Sequence, residues 1–596
     1  MIPSAERSCL ATTSLRDFWD ASLPVVVLGD FCVDLCQNGE MEAGAVREIE
    51  GVALGKDAWE KAVSYCDSVY ERLLPVVSSW MNKVHGVQYG ERYWRIFIGP
   101  FLMWYTQILY EKYRRISLAY EQFSNLTTIG MEQKSYVTPD NTLHFWNLAS
   151  ESDAWNLQIS TQIIGGLGRG GVIHKPFEWD GGVERTKVYG DRGRLTLGEN
   201  RRRRAAEAVA ALNSKAKIVF GLSTMSLFSR FRLALISRLR MWPYLNMQWT
   251  TPAGLSYAAA TRSSLADLSG FDSFSNLLLA TLTVNMPSAF IEAYSDLREK
   301  ASQMKSLIPR IIVSDEGWYF DELFKVWAAE KSEAGTRLVA VQHGGAYGSA
   351  YFSSSEMHEK KISDYYFSWG WSDSTKIIPM PSQRMSGMPR VRKRSKKLIL
   401  FAGTSFPRFT LPAAMTMSEY LDYQVRFVRS LDKALLSCLV MRVYYSDYGW
   451  GTESFLRRKI PELKIERAGS SPPLPRRLGE CKIFVTDNNG TSLLQALALN
   501  VPTILFWDPN LEILRESSLP PYDALREVGI LHETPESAAS MLRRVYDSPE
   551  DWWNSVDVQN ARDGFCNVFA RTDAKWLSRW ADTLKALLVR GDPEKC

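Results

Sequence analysis

A histidine that follows an apolar run is the first residue of this chain whose position suggests chemistry. Residues 338–342 (LVAVQ) read as a buried strand, and His343, Gly344 and Gly345 come directly after it. A histidine at the carboxyl edge of a sheet can accept a proton from a hydroxyl or hydrogen-bond a phosphate. The glycines would let a ligand approach the backbone closely. A structural histidine held in a turn is the alternative, and we favour the functional interpretation.

A polar turn between two apolar runs forms the second candidate site. Residues 481–507 predict a strand, a turn, a helix that ends near Asn500, and a second strand. Such a βαβ unit places the free N–H groups of a helix N-terminus at the carboxyl edge of a parallel sheet, where phosphates bind. Asp487 or Asn489 could also cap the helix, and both roles can hold at once. The predicted donor-binding residues of the turn are Thr486, Asp487, Asn488, Asn489, Gly490, Thr491 and Ser492.

Two weaker motifs also follow apolar runs. After residues 398–402 (LILFA), Gly403 and Thr404 form a small-residue turn with Arg408 nearby, which resembles a phosphate-binding turn. We add these three residues to the predicted donor site.

Asp315 and Glu316 follow the predicted strand 310–314 (RIIVS). Either carboxylate could act as a base or bind hydroxyls, and we include both with His343 as catalytic candidates. Asp315 could instead cap the next helix, which leaves its role open.

Aromatic and polar residues interleave at two places in a way that suits carbohydrate. The first holds His144 and Trp146, and the second holds Asp447 and Trp450. We predict that these four residues contact an acceptor. A tryptophan buried in a turn is the alternative at the second place.

Composition limits the class of protein. Of the 596 residues, 45% are hydrophobic and 23% are charged, which is ordinary for a soluble globular protein with roughly three domains or two large ones. The net charge is +5, and basic residues cluster at 201–204 and 390–397. These clusters are either solvated charge or an attraction to an anionic membrane face. Nucleic acid is not an expected partner, because no aromatic-interleaved basic motif accompanies them.

The sequence shows no pattern typical of secretion, disulfide bonding or metal binding. The eight cysteines form no disulfide framework, which fits a reducing compartment, and no signal-peptide pattern opens the sequence. We therefore expect a cytoplasmic protein. No histidine or cysteine spacing predicts a metal site.

Strands alternate with helices in both halves of the chain. The pattern predicts helices over about 58–115, an irregular insertion over 165–199 and a linker over 377–397. We predict two α/β domains that face each other across a cleft. Residues 1–390 would form the acceptor-side domain with helical insertions. Residues 391–596 would form the nucleotide-donor domain and a helical C-terminal tail.

Taken as a set, these segments resemble a family of transferases from bacterial surface-polysaccharide (O-antigen and capsule) gene clusters, which is related to GT-B glycosyltransferases. The resemblance is carried by 25–32 (VVVLGDFC), 91–113 (ERYWRIFIGPFLMWYTQILYEKY), 140–148 (DNTLHFWNL), 341–348 (VQHGGAYG), 446–450 (SDYGW), 485–507 (VTDNNGTSLLQALALNVPTILFW) and 529–553 (GILHETPESAASMLRRVYDSPEDWW). It implies a GT-B-like fold of two Rossmann-like domains, with the donor nucleotide held mainly by the C-terminal one. It also implies a reaction without a bound metal or cofactor.

The His-Gly pair and the Thr-Asp turn also resemble those of CDP-glycerol-type polyol-phosphate transferases, in which the histidine is functional. We therefore expect a glycosyltransferase that adds a nucleotide-activated sugar to a glycan or lipid-linked glycan, with His343 as general base or ligand of the leaving phosphate. Peripheral contact with the cytoplasmic face of the inner membrane is also expected. Three alternatives stay open: a CDP-polyol phosphotransferase, a nucleotide-sugar 2-epimerase, and a glycan-binding protein without catalysis.

Overall fold

The β-strands in the described residues form three separate sheets, and every pairing between these strands is parallel. The computed structural model describes residues 7–33, 46–169, 171–182, 216–221, 223–243, 249–304, 308–388, 397–409, 415–510 and 512–589. Parallel sheets need a crossover between neighbouring strands, so helices cover them and the strands become buried.

The first sheet has five strands in the order β3-β2-β1-β4-β5. They are β1 (Ser8–Ala11), β2 (Val25–Val27), β3 (Val46–Glu48), β4 (Leu126–Met131) and β5 (Val172–Lys175). The helices Lys56–His85 and Gly99–Gln122 connect β3 to β4 and pack against each other. The second of them has Pro100 in its first turn, where no N–H is needed, and its first eleven residues are buried. These elements confirm the helices predicted over about 58–115.

The second sheet has six strands in the order β11-β10-β9-β8-β6-β7. They are β6 (Ile218–Phe220), β7 (Met241–Pro243), β8 (Ile311–Ser314), β9 (Arg337–Val341), β10 (Tyr365–Ser368) and β11 (Ile377–Pro379). The helix Glu322–Glu333 joins β8 to β9, and the Asp321 side chain caps it by accepting from the N–H of Phe324. The predicted βαβ unit is therefore confirmed.

The third sheet has six strands in the order β14-β13-β12-β15-β16-β17. They are β12 (Ile399–Ala402), β13 (Leu439–Val443), β14 (Lys464–Arg467), β15 (Ile483–Thr486), β16 (Thr503–Phe506) and β17 (Leu531–His532). The helix Thr491–Ala498 joins β15 to β16, and Asn500 has φ of 54° just beyond its end. The left-handed conformation of this asparagine confirms the predicted helix terminus.

The C-terminal tail is helical, as predicted, and returns to the second sheet. Its last helix, Trp576–Val589, buries Trp580 against Phe367 of β10, with ring centroids 5.3 Å apart. The remaining α-helices in the described part of the chain are Glu91–Phe97, Thr142–Glu151, Asp153–Gly166, Leu227–Ile236, Ala259–Ser263, Ser273–Asn285, Tyr294–Ser302, Ser354–Ile362, Met417–Arg429, Lys433–Cys438, Thr452–Lys459, Leu474–Glu480, Leu519–Glu527, Pro535–Val545, Pro549–Trp553 and Val556–Phe569.

The predicted fold class is confirmed: two Rossmann-like sheets face a cleft, with extra N-terminal helices and a helical tail. The separate five-stranded N-terminal sheet is an addition to the two predicted α/β domains. The segment 165–199, expected to be irregular, contributes β5 to this sheet. The predicted domain boundary at 390/391 and the basic cluster at 201–204 lie outside the described residues, as does most of the cluster at 390–397. Among the described helices, none is long and apolar enough to cross a membrane.

Candidate functional site

The second and third sheets point the carboxyl ends of their strands into one shared cavity of about 970 Å³, here called the cleft cavity. From the second sheet, its lining comes from Glu316, His343, Gly344, Gly345 and Arg384. From the third sheet, the lining includes Gly403, Thr404, Arg442, Tyr444, Tyr445, Asn488, Gly490, Thr491, Ser492 and Gln495. The ends of parallel strands at such a crevice are where α/β proteins bind ligands.

His343 follows β9 and is held from behind by a buried carboxylate. Its Nδ1 atom lies 3.1 Å from Oε1 of Glu359, and the Tyr347 hydroxyl lies 3.3 Å from Nε2. Burial lowers the pKa of His343, but Glu359 and two further carboxylates raise it by more, so the net pKa is raised. The imidazole therefore favours its protonated form, which can donate a hydrogen bond to an anion.

Glu359 belongs to a hydrogen-bonded support behind this histidine. It is fully buried on the helix Ser354–Ile362, and the Tyr319 hydroxyl donates to its Oε1 at 2.6 Å. A carboxylate anchored in this way orients the imidazole and compensates its charge.

Gly345, which follows β9, lies directly against Gly490, which follows β15. The N–H of Gly345 donates to the Thr491 hydroxyl at 2.9 Å. A Cβ atom on Gly345 would lie 2.3 Å from the carbonyl carbon of Gly490, which is closer than non-bonded atoms approach. Only glycine fits here, so the backbone after His343 lies directly against the start of the helix Thr491–Ala498.

The start of this helix has no side-chain cap. Gly490 is the N-cap residue, and neither predicted capping side chain serves it. Asp487 instead accepts from the Gln424 side chain at 2.8 Å, and Asn489 donates to the Ser349 hydroxyl at 2.8 Å. The capping hypothesis for these two residues was therefore wrong, because tertiary partners hold both side chains. The first turn of the helix borders the cleft cavity through Gly490, Thr491 and Ser492.

Other residues of the turn hold its shape. The Thr486 hydroxyl donates to the Ala402 carbonyl at 3.0 Å, which ties β15 to β12. Asn488 accepts from the N–H of Gly490 at 3.0 Å, and it lines both the cleft cavity and a second pocket. Thr486, Asp487 and Asn489 do not line the cleft cavity.

The turn after β12 contributes only part of its predicted set. Gly403 and Thr404 line the cleft cavity, and the N–H of Thr404 donates to the Tyr420 hydroxyl at 2.8 Å. Arg408 lies elsewhere, because its guanidinium forms an ion pair with Asp153 at 2.9 Å and thus binds the third sheet to the N-terminal region.

The two candidate carboxylates after β8 lie in different environments. Asp315 is buried, and its Oδ2 accepts from the Thr224 N–H at 2.8 Å, from the Thr224 hydroxyl at 2.7 Å and from Gln383 at 3.2 Å. Burial raises the pKa of Asp315. Glu316 lines the cleft cavity and is the carboxylate that a ligand can reach there.

A second pocket of about 490 Å³, here called the tryptophan pocket, lies between the N-terminal region and the third sheet. Two of the four predicted acceptor residues, Trp146 and Trp450, line it. The Trp450 ring is fixed by an Nε1 hydrogen bond of 2.8 Å to the Phe406 carbonyl. The rest of its lining includes Asp30, Phe31, Trp59, Glu111, Lys112, Arg115, Arg408, Phe409, Asp487, Asn488, Trp507 and Glu512.

The other two predicted acceptor residues lie outside the tryptophan pocket. His144 contacts the Gly181 carbonyl through Nε2 at 2.8 Å. Asp447 accepts from the N–H groups of Gly451 and Thr452 at 2.7 and 2.9 Å, at the start of the helix Thr452–Lys459. His144 thus holds a distant segment, and Asp447 stabilises a local turn.

Sequence reasoning missed several residues of the two sites. Arg384 is exposed at the cleft cavity and donates to the His343 carbonyl at 3.1 Å, yet it lies in a segment that reads as a linker. Glu359 sits in mid-helix without a motif. Within the described residues, no group of three or more His, Cys, Asp and Glu side chains is placed to hold a metal ion. The predicted metal independence stays a prediction.

Comparisons with solved structures give distant similarities. A co-structure of S. aureus MnaA with UDP is 10% identical and covers 63% of this chain and 97% of that one, with a TM-score of 0.37. MurG of Acinetobacter baumannii is 9% identical, covering 62% and 99%, with a TM-score of 0.31. The wall teichoic acid polymerase TagF is 10% identical, covering 66% and 99%, with a TM-score of 0.29. TM-scores below 0.5 carry no functional argument.

No match was found among curated proteins. The family model of the LIC12162 transferases, in contrast, matches residues 8–584, which include all three sheets and both cavities. The chain belongs to the LIC12162 family of transferases.

Proposed function

We propose that this transferase moves a sugar from a nucleotide-activated donor to a glycan acceptor of the bacterial surface, of the O-antigen or capsule type. One observation carries the proposal. His343 and the uncapped N-terminus of the helix Thr491–Ala498 border the same cavity, at the carboxyl ends of two parallel sheets. A diphosphate needs this combination of N–H donors, a helix dipole and a cation.

The donor diphosphate would lie against the first turn of that helix. The Ser492 hydroxyl supplies a polar contact there, and Arg384 adds a guanidinium at the same cavity. Of the two roles predicted for His343, the raised pKa favours the ligand of the leaving phosphate over the general base. A protonated imidazole stabilises the charge that develops as the phosphate departs.

The remaining proton transfer needs a carboxylate. In the transfer step, the bond between the anomeric carbon and the phosphate oxygen breaks, and the acceptor hydroxyl oxygen bonds to that carbon. The hydroxyl proton passes to a base, and we assign this role to Glu316 because it lines the cavity that holds His343. Asp315 would orient the loop at Thr224.

The acceptor would approach from the tryptophan pocket. Trp146 and Trp450 line that pocket, and Asn488 borders both cavities, so the two substrates would meet at Asn488. A lipid-linked glycan would bring the enzyme to the cytoplasmic face of the inner membrane.

Thermal stabilisation by CMP, CDP, UDP, GDP and dTDP tests the donor site, since a ligand of the folded state raises the Tm. We expect one nucleotide to raise the Tm of the wild type. Ser492→Asp should abolish this shift, because a carboxylate in the first turn suits the helix dipole but repels phosphate. Ser273→Asp makes the same change at the start of the helix Ser273–Asn285, outside both cavities, and should keep the shift.

If no nucleotide raised the Tm, or if Ser492→Asp kept the full shift, the donor site would be wrong. Product analysis then separates the reactions: a glycoside supports the proposal, whereas a phosphodiester or a 2-epimer of the donor would replace it.

A further inference from the structure

The tryptophan pocket contains a buried lysine whose ammonium has no hydrogen-bond or ion-pair partner among the described residues. Lys112, on the helix Gly99–Gln122, is 4% exposed and lines the pocket. Its ammonium makes no hydrogen bond or ion pair with any side chain in the described ranges, and it lies 4.9 Å from the Phe409 ring centroid. A buried charge without a partner is unfavourable, so this arrangement indicates a ligand that supplies one.

The other cations beside Lys112 are already neutralised. Arg115 forms an ion pair with Glu111 at 2.5 Å, and Arg408 forms one with Asp153 at 2.9 Å. Among the basic side chains that line the pocket, Lys112 is therefore the one without a carboxylate at ion-pair distance in the described residues. An anionic group is the ligand chemistry that balances it.

The rest of the pocket suits sugar hydroxyls and ring faces. Asp487, Asn488 and Glu512 supply acceptors, and Asn488 also borders the cleft cavity. The walls are tryptophan rings, whose faces pack against the C–H groups of a saccharide while their polar edges remain fixed. These rings belong to Trp59, Trp146, Trp450 and Trp507.

We propose that the tryptophan pocket binds an acidic saccharide, with its anionic group on Lys112 and its hydroxyls directed to Asp487 and Asn488. The anionic group is a carboxylate or a phosphate, which share this chemistry. The role of this saccharide as the acceptor unit rests on the transfer function proposed above, but its binding does not.

Calorimetric titration of the full chain, without any donor, tests the site with glucuronate, glucose 1-phosphate and glucose. We expect at least one acidic sugar to bind ten-fold or more tightly than glucose, and the stronger of the two identifies carboxylate or phosphate. Lys112→Met keeps the length of the side chain and should remove this preference. Lys325→Met is the matched control, because Lys325 is equally buried but paired with Glu322 at 2.8 Å.

Equal binding of all three sugars by the wild type, or an unchanged preference in Lys112→Met, would overturn the proposal. A preference that Lys325→Met also loses would point to general loss of folding and overturn it too. If acidic sugars bound but no donor supported transfer, the proposed function would fail while this site stood.

A separate observation concerns the helix Leu227–Ile236, which is apolar on two opposite faces. Leu233 and Ala234 are buried toward the second sheet. The opposite face is exposed to 71% at Phe228, 43% at Phe231 and 72% at Leu235. These residues are three or four positions apart and form one continuous stripe, and an exposed apolar stripe opposite a buried face needs a second partner.

The charged residues of this segment are of one sign. Residues 223–243 contain four arginines and no acidic residue, and Arg232, Arg238 and Arg240 are exposed. An apolar stripe beside arginines complements an anionic lipid surface, into which the rings insert while the guanidinium groups contact phosphates. We infer that the face formed by Phe228, Phe231 and Leu235 docks on an anionic bilayer.

Co-flotation of the full chain with vesicles tests this surface. We expect binding to phosphatidylglycerol vesicles, weak binding to phosphatidylcholine, and loss of binding in a Phe228→Ser, Leu235→Ser double variant. Val556→Ser, at a residue 73% exposed on another helix, should bind like the wild type. Removal of one arginine, as in Arg232→Gln, should weaken binding about five-fold. Equal binding to both lipids, or flotation of the double variant, would overturn the inference, as would dimerisation through this face instead.

Discussion

The cleft cavity and the tryptophan pocket differ in what forms their walls. The cleft cavity is built from turns that follow β9, β12 and β15, so glycines, hydroxyls and backbone N–H groups line it. The tryptophan pocket is built largely from side chains of helices and loops, with indole rings and buried charges. Backbone groups at strand ends suit a phosphate, which needs many fixed donors. Aromatic rings and carboxylates suit a sugar, because the rings stack on the faces of the sugar ring and the carboxylates accept hydrogen bonds from its hydroxyls.

This contrast predicts that substitution of His343 lowers kcat, whereas substitution of a pocket tryptophan raises the KM for the acceptor. His343→Ala should lower kcat roughly 10²–10⁴-fold, because it removes a charge that contacts the leaving phosphate. Transfer kinetics with saturating donor measure this effect. His532→Ala is the control: this histidine on β17 contacts Ser537 and the Gly529 carbonyl, and lies in neither cavity. If His343→Ala retained full turnover, the cleft cavity would not be the catalytic site.

The contact between the second and third sheets can be tested by alanine substitution of the neighbouring residues Gly344 and Gly345. Gly345→Ala should lower kcat by more than ten-fold, because its Cβ would meet the Gly490 backbone at 2.3 Å and force the domains apart. At Gly344 the nearest atom is the ring edge of Tyr347 at 3.2 Å, so Gly344→Ala should cost several-fold less. Similar kinetics for both variants would contradict the contact between Gly345 and the helix.

The tryptophan pocket should affect the acceptor alone. Trp450→Phe removes the hydrogen bond to Phe406 and part of the ring face. We expect the KM for the acceptor to rise several-fold while the KM for the donor stays the same. Steady-state kinetics with each substrate varied in turn give both values, and a change confined to the donor would reverse our assignment of the two cavities.

Nucleotide affinity should depend on pH through His343. The pKa of this histidine is raised, so the folded protein binds its proton more tightly than the unfolded chain does. The stabilisation is complete below the unfolded pKa of about 6.5 and is lost as pH rises through the folded value. The phosphate loses the charge of the imidazole over the same range, so nucleotide binding should weaken as pH rises above about 6.5, and His343→Gln should flatten this dependence. The groups that face the imidazole are Glu359, Asp315, Glu316, Tyr319 and Tyr347.

The substitution of Lys112 should affect stability rather than turnover. Burial, followed by the repulsion from Arg115, lowers the pKa of Lys112 to about 7. Protonation is thus less favourable in the folded state, and this penalty is full below pH 7 and shrinks as pH rises toward about 10.5. Lys112→Met should raise the Tm without ligand, and by more at pH 7 than at pH 9. A fall in Tm at both values would mean that the ammonium has a stabilising partner.

The strand and turn patterns predicted the cleft cavity well. His343, Gly344 and Gly490 were found because each follows an apolar run, and the ends of parallel strands meet at one edge of a sheet. Asp487 and Arg408 were assigned to the same site for the same reason, yet the former bonds to Gln424 and the latter to Asp153. The local hydrophobic pattern predicts that a residue lies at the edge of a sheet, but it does not predict which side chain that residue binds.

The sequence by itself determined the parallel α/β class, the helix N-terminus at Gly490 and the position of His343, because strand periodicity and turn chemistry act over a few residues. Only the tertiary structure decided that Glu359 supports His343, that Gly345 touches Gly490 and that Lys112 faces the tryptophan pocket. These contacts join residues far apart in the chain. The packing of separate elements creates them, within one domain for Glu359 and His343 and between domains for Gly345 and Gly490. Local periodicity does not encode which elements will meet.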